Sequence, residues 1–222
     1  EIRLGLRRDE RMCYGGHAYD VVLPQETKDA LEAWENKPSL FEQFENWLSR
    51  TPFVDTGSYK FWDSYRAAVY QMLDEDLQNS PDEDRSKIEK TRASFDELFA
   101  SDEPAGWRFS AKALQAALFI NMYRDQPVLH QPYRILHLAM DIDELLTVWR
   151  YRHALMVQRM IGMKSGSGGS SGHRYLIETA ERHRVFSDLF GLSTFLIPRS
   201  ARPELPEDVQ KQMAFVYEGA AA

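Results

Sequence analysis

Trp149-Arg150-Tyr151-Arg152-His153, running on through Met156, Arg159 and Met160 into Lys164-Ser165-Gly166-Ser167-Gly168-Gly169-Ser170-Ser171-Gly172, decides how this chain is read. Ile142, Leu146, Trp149, His153, Met156 and Met160 recur at intervals of four, three, four, three and four residues. That period puts them on one face of a helix, expected from about Pro132 to Ile161. An apolar stripe is ordinarily the buried one, so His153 is expected to point into the interior. An imidazole left unpaired there costs roughly 1–3 kcal/mol, so it needs a partner.

Two partners suit it. A core histidine can bond a backbone carbonyl or a neighbouring helix; alternatively, the imidazole is an axial ligand to haem iron, with Trp149 packed beside it one turn earlier. Arg150, Arg152 and Arg159 flank the stripe and suit either solvation, salt bridges or haem propionates. The glycine-serine segment has readings of its own. Its composition is that of a flexible linker. It is not a Walker loop, because Lys164 precedes the glycines instead of standing between glycine and a hydroxyl residue. A third reading takes the glycines as points of close backbone approach to a ligand and the serines as hydrogen-bonding groups.

Outward from this stretch the pattern is helical throughout. Ser39-Leu40-Phe41-Glu42 reads as a capping box opening a helix with Leu40, Phe44, Trp47 and Leu48 on one side, ending before Pro52. A helix from about Phe61 to Leu77 turns Phe61, Tyr65, Val69, Met72 and Leu73 inward. Ser80-Pro81 offers an N-cap and a first-turn proline for the next, carrying Ile88, Phe95, Leu98 and Phe99, with Glu83 spaced to pair with Lys87. Ser110 caps a helix through Leu114, Leu118 and Tyr123. Helices from about Tyr175 to Phe190, stopped by Gly191, and from Pro206 to Tyr217 complete the set. No strand series or internal repeat stands out, so the fold class is all-α, a helical bundle.

Composition narrows the function. With 43% hydrophobic residues, including 12 Phe, 10 Tyr and 5 Trp among 222 residues, there is ample material for a core. Mean hydropathy of -0.50 and the lack of a long apolar run predict no membrane-spanning helix. A formal charge of -7 argues against general nucleic-acid binding, which needs a basic face. A single cysteine, Cys13, forms no internal disulfide and suits a reducing cytoplasm. There is no His-Glu-x-x-His, no paired cysteine and no nucleophile elbow. His17, His130, His137, His173 and His183 lack metal-ligand spacing and are expected to be surface or structural groups.

Several separated motifs carry a family resemblance. Met140-Asp141-Ile142-Asp143, Trp149 through His153, Arg159-Met160-Ile161-Gly162, the segment Lys164 to Gly172, and Asp188-Leu189-Phe190-Gly191-Leu192-Ser193-Thr194-Phe195-Leu196-Ile197-Pro198-Arg199 together resemble the C-terminal part of the tryptophan 2,3-dioxygenase family. Leu48-Ser49-Arg50-Thr51-Pro52 and Ala113 to Leu118 fit as well. The resemblance implies that residues 1–222 are the C-terminal portion of a single helical haem domain, holding haem b. It implies His153 as the proximal iron ligand, Trp149 beside it, and Arg159 as a propionate or loop partner. Ser167, between Gly166 and Gly168, falls where the family's glycine-rich loop has a hydroxyl residue, usually threonine, against the substrate's ammonium group.

The implied reaction inserts both atoms of O2 across the indole C2–C3 bond of L-tryptophan to give N-formylkynurenine, in a cytoplasmic homotetramer. The family's distal histidine, its phenylalanine over the haem and its carboxylate-gripping arginine match nothing here, and Glu1-Ile2-Arg3-Leu4-Gly5-Leu6 resembles the continuation of the helix bearing that arginine. The expectation is therefore an N-terminal portion carried as a separate chain or a lost segment, and no catalytic residue is identified within this one. Two other functions stay open: a related haem-dependent aromatic amino acid monooxygenase, which product mass would separate, and a non-catalytic haem-binding module.

Overall fold

A computed structural model describes residues 24–100, 106–162, 176–178, 180 and 183–214. Among the described residues the architecture is all-α: α1 Gln25–Glu35, α2 Leu40–Leu48, α3 Phe61–Asn79, α4 Asp82–Phe99, α5 Ala111–Met122, α6 His130–Ile161, α7 Ser187–Leu192 and α8 Glu207–Met213. The only pairing of extended backbone among them is one isolated bridge, Asp55 with Lys60. The chain divides into two compact units, residues 1–44 with 138–187, and 45–137 with 188–222.

In the first unit the capping box forms as its spacing predicts. The Ser39 amide donates to the Glu42 carboxylate at 2.6 Å, and the Glu42 amide donates to the Ser39 hydroxyl at 3.2 Å. Two otherwise orphaned donors are thereby satisfied at the start of α2. Phe41 and Phe44 are buried, and the Phe44 ring lies 4.9 Å from that of Phe186. The expected continuous helix from Tyr175 to Phe190 is interrupted instead. Residues 183–186 are not helical because the Val185 and Phe186 amides donate to the Asp143 carboxylate, at 2.8 and 2.6 Å. Donors committed to a side chain are lost to an i→i−4 ladder.

In the second unit α5 is buried over most of its surface, with only Lys112, Gln115 and Asn121 polar: Ala113, Leu114, Ala116, Ala117, Leu118, Phe119, Ile120 and Met122 are all buried, so it forms the centre. Ser110 caps it, accepting from the Ala113 amide at 3.4 Å. Helix α3 turns Phe61, Tyr65, Val69 and Leu73 inward, and Phe61 meets Phe119 edge-on at 5.2 Å. Helix α4 adds Phe95 and Leu98. Asp188 performs at α5 what Asp143 performs in the other unit, its carboxylate accepting from the Arg108 and Phe109 amides at 2.6 and 2.8 Å.

Three expectations for this unit need correction. The Ser80 side chain does not cap α4: its amide closes the end of α3 on the Asp76 carbonyl, and Pro81 takes the N-cap place. Lys87 pairs with Asp84 at 2.8 Å instead of Glu83, because three residues bring the short carboxylate as near as four bring the long one. Gly191 lies within α7 instead of ending it; a Cβ there would come within 3.2 Å of the Trp107 ring, so the missing side chain admits the indole.

Candidate functional site

Helix α6 is 32 residues long and carries most of the exposed large apolar side chains: Ile142, Leu145, Trp149, Leu155, Met156 and Met160 among them. The expected stripe forms, but it does not face the interior. Ile142, Trp149, Met156 and Met160 face out, with Trp149 61% and Met160 76% exposed, and Leu146 and His153 are half-buried, while Leu136, Ala139, Asp143 and Ala154 are the buried positions among the described residues. An amphipathic pattern shows that a face is apolar and not what covers it, and here nothing among the described residues does.

His153 sits at the margin of the two faces, half-buried. Its ring is stacked against Trp149, centroids 5.6 Å apart and planes 12° from parallel, and it makes no hydrogen bond among the described residues. Arg159 is exposed near the end of α6. Gly166, Ser167 and Gly168 lie outside the described residues, so their relation to His153 is not part of this geometry.

Two further groups on α6, Asp143 and Arg150, have partners that the sequence did not assign to them. Asp143 is 1% exposed and accepts the two amides of Val185 and Phe186. Arg150 donates to the His183 carbonyl at 2.6 Å. Burial pulls the Arg150 guanidinium below its ordinary pKa, and the Asp143 charge opposes that shift. The available signal was an aspartate seven residues before an arginine, in register with Ala139 and Ala154. His183, expected to be surface or structural, is buried at this joint.

His153 is a single imidazole, the donor that a haem iron would require of the protein. No group of three His, Cys, Asp or Glu side chains that could cage an ion occurs among the described residues. A porphyrin supplies four nitrogens itself and asks the protein for a single imidazole and apolar walls. His153 beside Trp149 and Met156 offers both.

Comparison with known proteins bears on the same stretch. The family model described as tryptophan 2,3-dioxygenase matches residues 1–196. The chain belongs to the tryptophan 2,3-dioxygenase family. Proteins named tryptophan 2,3-dioxygenase from Bdellovibrio bacteriovorus, Alteromonas mediterranea and Dictyostelium discoideum are similar to it, at 43%, 41% and 41% identity over 98%, 97% and 98% of this chain. It spans 65%, 64% and 58% of their own lengths. The part of this tryptophan 2,3-dioxygenase family chain that the model matches takes in all of α6, the glycine-serine segment and α7. No helix among the described residues is long and apolar enough to cross a membrane.

Proposed function

We propose that this chain is the haem-ligating part of an enzyme that dioxygenates L-tryptophan to N-formyl-L-kynurenine. The observation that carries the reading is the His153–Trp149 stack on the outward apolar face of α6, in a chain of this family. His153 is the iron ligand: a neutral imidazole presents one nitrogen lone pair to the metal and its other N–H to an acceptor. Trp149 holds the ring from one side, while Met156 and Met160 supply apolar wall. Arg159 pairs with a propionate or with the glycine-serine segment. When bound, haem b supplies the iron at which O2 is activated for insertion across the indole C2–C3 bond.

Ser167, with Gly166 and Gly168 allowing close backbone approach, hydrogen-bonds the amino acid end of the substrate. Relative to threonine, serine keeps the hydroxyl and loses a methyl, so the bond is retained with less restraint at χ1. The substrate's carboxylate must be paired once it leaves water. No residue of this chain is assigned that cation or the distal wall, so both come from groups outside those named; the assembly is a cytoplasmic homotetramer.

Replacement of His153 tests the reading. His153→Ala should abolish both the ferrous histidine-ligated absorption and stable haem retention, and a variant with wild-type spectrum and haem content would assign the iron to another ligand. Ser167→Ala should weaken tryptophan binding by about 0.5–1.5 kcal/mol, the net worth of one hydrogen bond, whereas Ser167→Thr should bind as well or better. Both are read by titrating the Soret band. Unchanged affinity in the alanine variant would return the segment to a linker.

A further inference from the structure

We propose that Asp143 and Arg150 are positioning residues for His153, holding α6 at the rotation about its own axis that sets where the imidazole points. The inference rests on the reading of His153 as the haem ligand. On the inner side of α6 from residue 138 onward, Ala139, Asp143 and Ala154 are buried and Leu146, Thr147, Arg150 and Tyr151 half-buried. The two buried alanines offer little relief for a neighbour to interlock with, so directional polar bonds add to what packing fixes of the helix's rotation. Three such bonds are present. The two Asp143 oxygens each take one amide, of Val185 and of Phe186, and Arg150 reaches the His183 carbonyl.

These ties grip one four-residue stretch from two levels of α6 seven residues apart, about 10 Å along the axis. Bonds at two such levels oppose both rolling and sliding. Arg150 and His153 are three residues apart and so about 60° apart in azimuth on one rigid turn. Any roll at the joint therefore reaches the imidazole undiminished. At a side-chain radius of about 5–6 Å, a roll of only about 5° moves the ring by about 0.5 Å, the tolerance within which a functional group must be held. The carboxylate matters for its two acceptor atoms. An amide at position 143 would keep one acceptor and set an NH2 group against the other backbone N–H.

The test compares Asp143→Asn with wild type and with Leu73→Ala, a core truncation in the other unit, each as haem-loaded protein. The readouts are haem retention, the ferrous iron–imidazole stretching band in resonance Raman, and the melting temperature. Asp143→Asn should shift or split the band and weaken haem retention on the order of 10-fold. Leu73→Ala should lower the melting temperature and leave the band in place. If Asp143→Asn does not yield folded protein, Arg150→Met, which leaves both Asp143 bonds intact, takes its place in the comparison. A wild-type band in the variant used, or the same change in Leu73→Ala, overturns the positioning role. Loss of the band in His153→Ala combined with a wild-type band in Asp143→Asn rejects the positioning role alone. A band that survives His153→Ala rejects the haem-ligand reading beneath it.

Discussion

The indole of Trp149 and the imidazole of His153, one helical turn apart on α6, lie 5.6 Å apart between ring centroids and within 12° of parallel. Trp149 makes this contact while 61% exposed, so its large side chain braces a histidine and fills no core in this chain. Removing it should therefore separate stability from site chemistry. Trp149→Ala is expected to change unfolding free energy by no more than about 0.5 kcal/mol, the range for exposed positions, while altering the ferrous absorption and haem retention. Denaturant titration and haem spectra of the same preparation check both halves.

Asp188 should behave in the opposite way. Its buried carboxylate holds the Arg108 and Phe109 amides at the approach to α5, so Asp188→Ala leaves two donors unsatisfied. A loss of about 1–3 kcal/mol is expected, with Asp188→Asn in between. Urea unfolding followed by aromatic fluorescence reads it, and a loss below about 0.5 kcal/mol would show that water replaces the carboxylate.

The start of α2 offers a smaller, local change. Ser39→Ala removes the acceptor for the Glu42 amide and should cost about 0.5–2 kcal/mol. Ser39→Asp, which restores a side-chain oxygen, should recover most of it. Chemical denaturation of the three proteins in parallel gives the comparison.

Arg202 sets the acid behaviour of Asp125. The guanidinium donates to the carboxylate at 2.7 Å and holds its pKa below the ordinary carboxylate value, against a smaller opposing effect of burial. A carboxyl depressed in the folded state contributes stability that is fully present above its unfolded pKa, near 4, and lost as pH falls through the folded value. Arg202→Met should move the Asp125 titration upward, seen by carboxyl NMR, and remove part of the stability above about pH 4. An unmoved titration would mean that Arg199, which also pairs with Asp125, sustains the shift.

Local signals decided what was legible beforehand. The capping box at Ser39, the Ser110 cap, the inward faces of α3 and α5 and the length of α6 follow from rules acting over three or four residues, and each stands in the structure. The Ser80 cap and the Glu83 pair failed because each competed with a neighbour of nearly equal merit, the α3 end in one case and Asp84 in the other.

Residue order by itself determined an all-α chain, a histidine and a tryptophan sharing one stripe of a long helix, and the family motifs around them, because periodicity and motif are properties of the chain alone. Tertiary structure decided which side of α6 is covered, that 183–186 leave the helix, and that Asp143 and Arg150 bond to that stretch. Those outcomes depend on partners 33 to 43 residues away in sequence. A buried carboxylate and two distant amides satisfy one another only after the chain has brought them together, and no local pattern encodes that meeting.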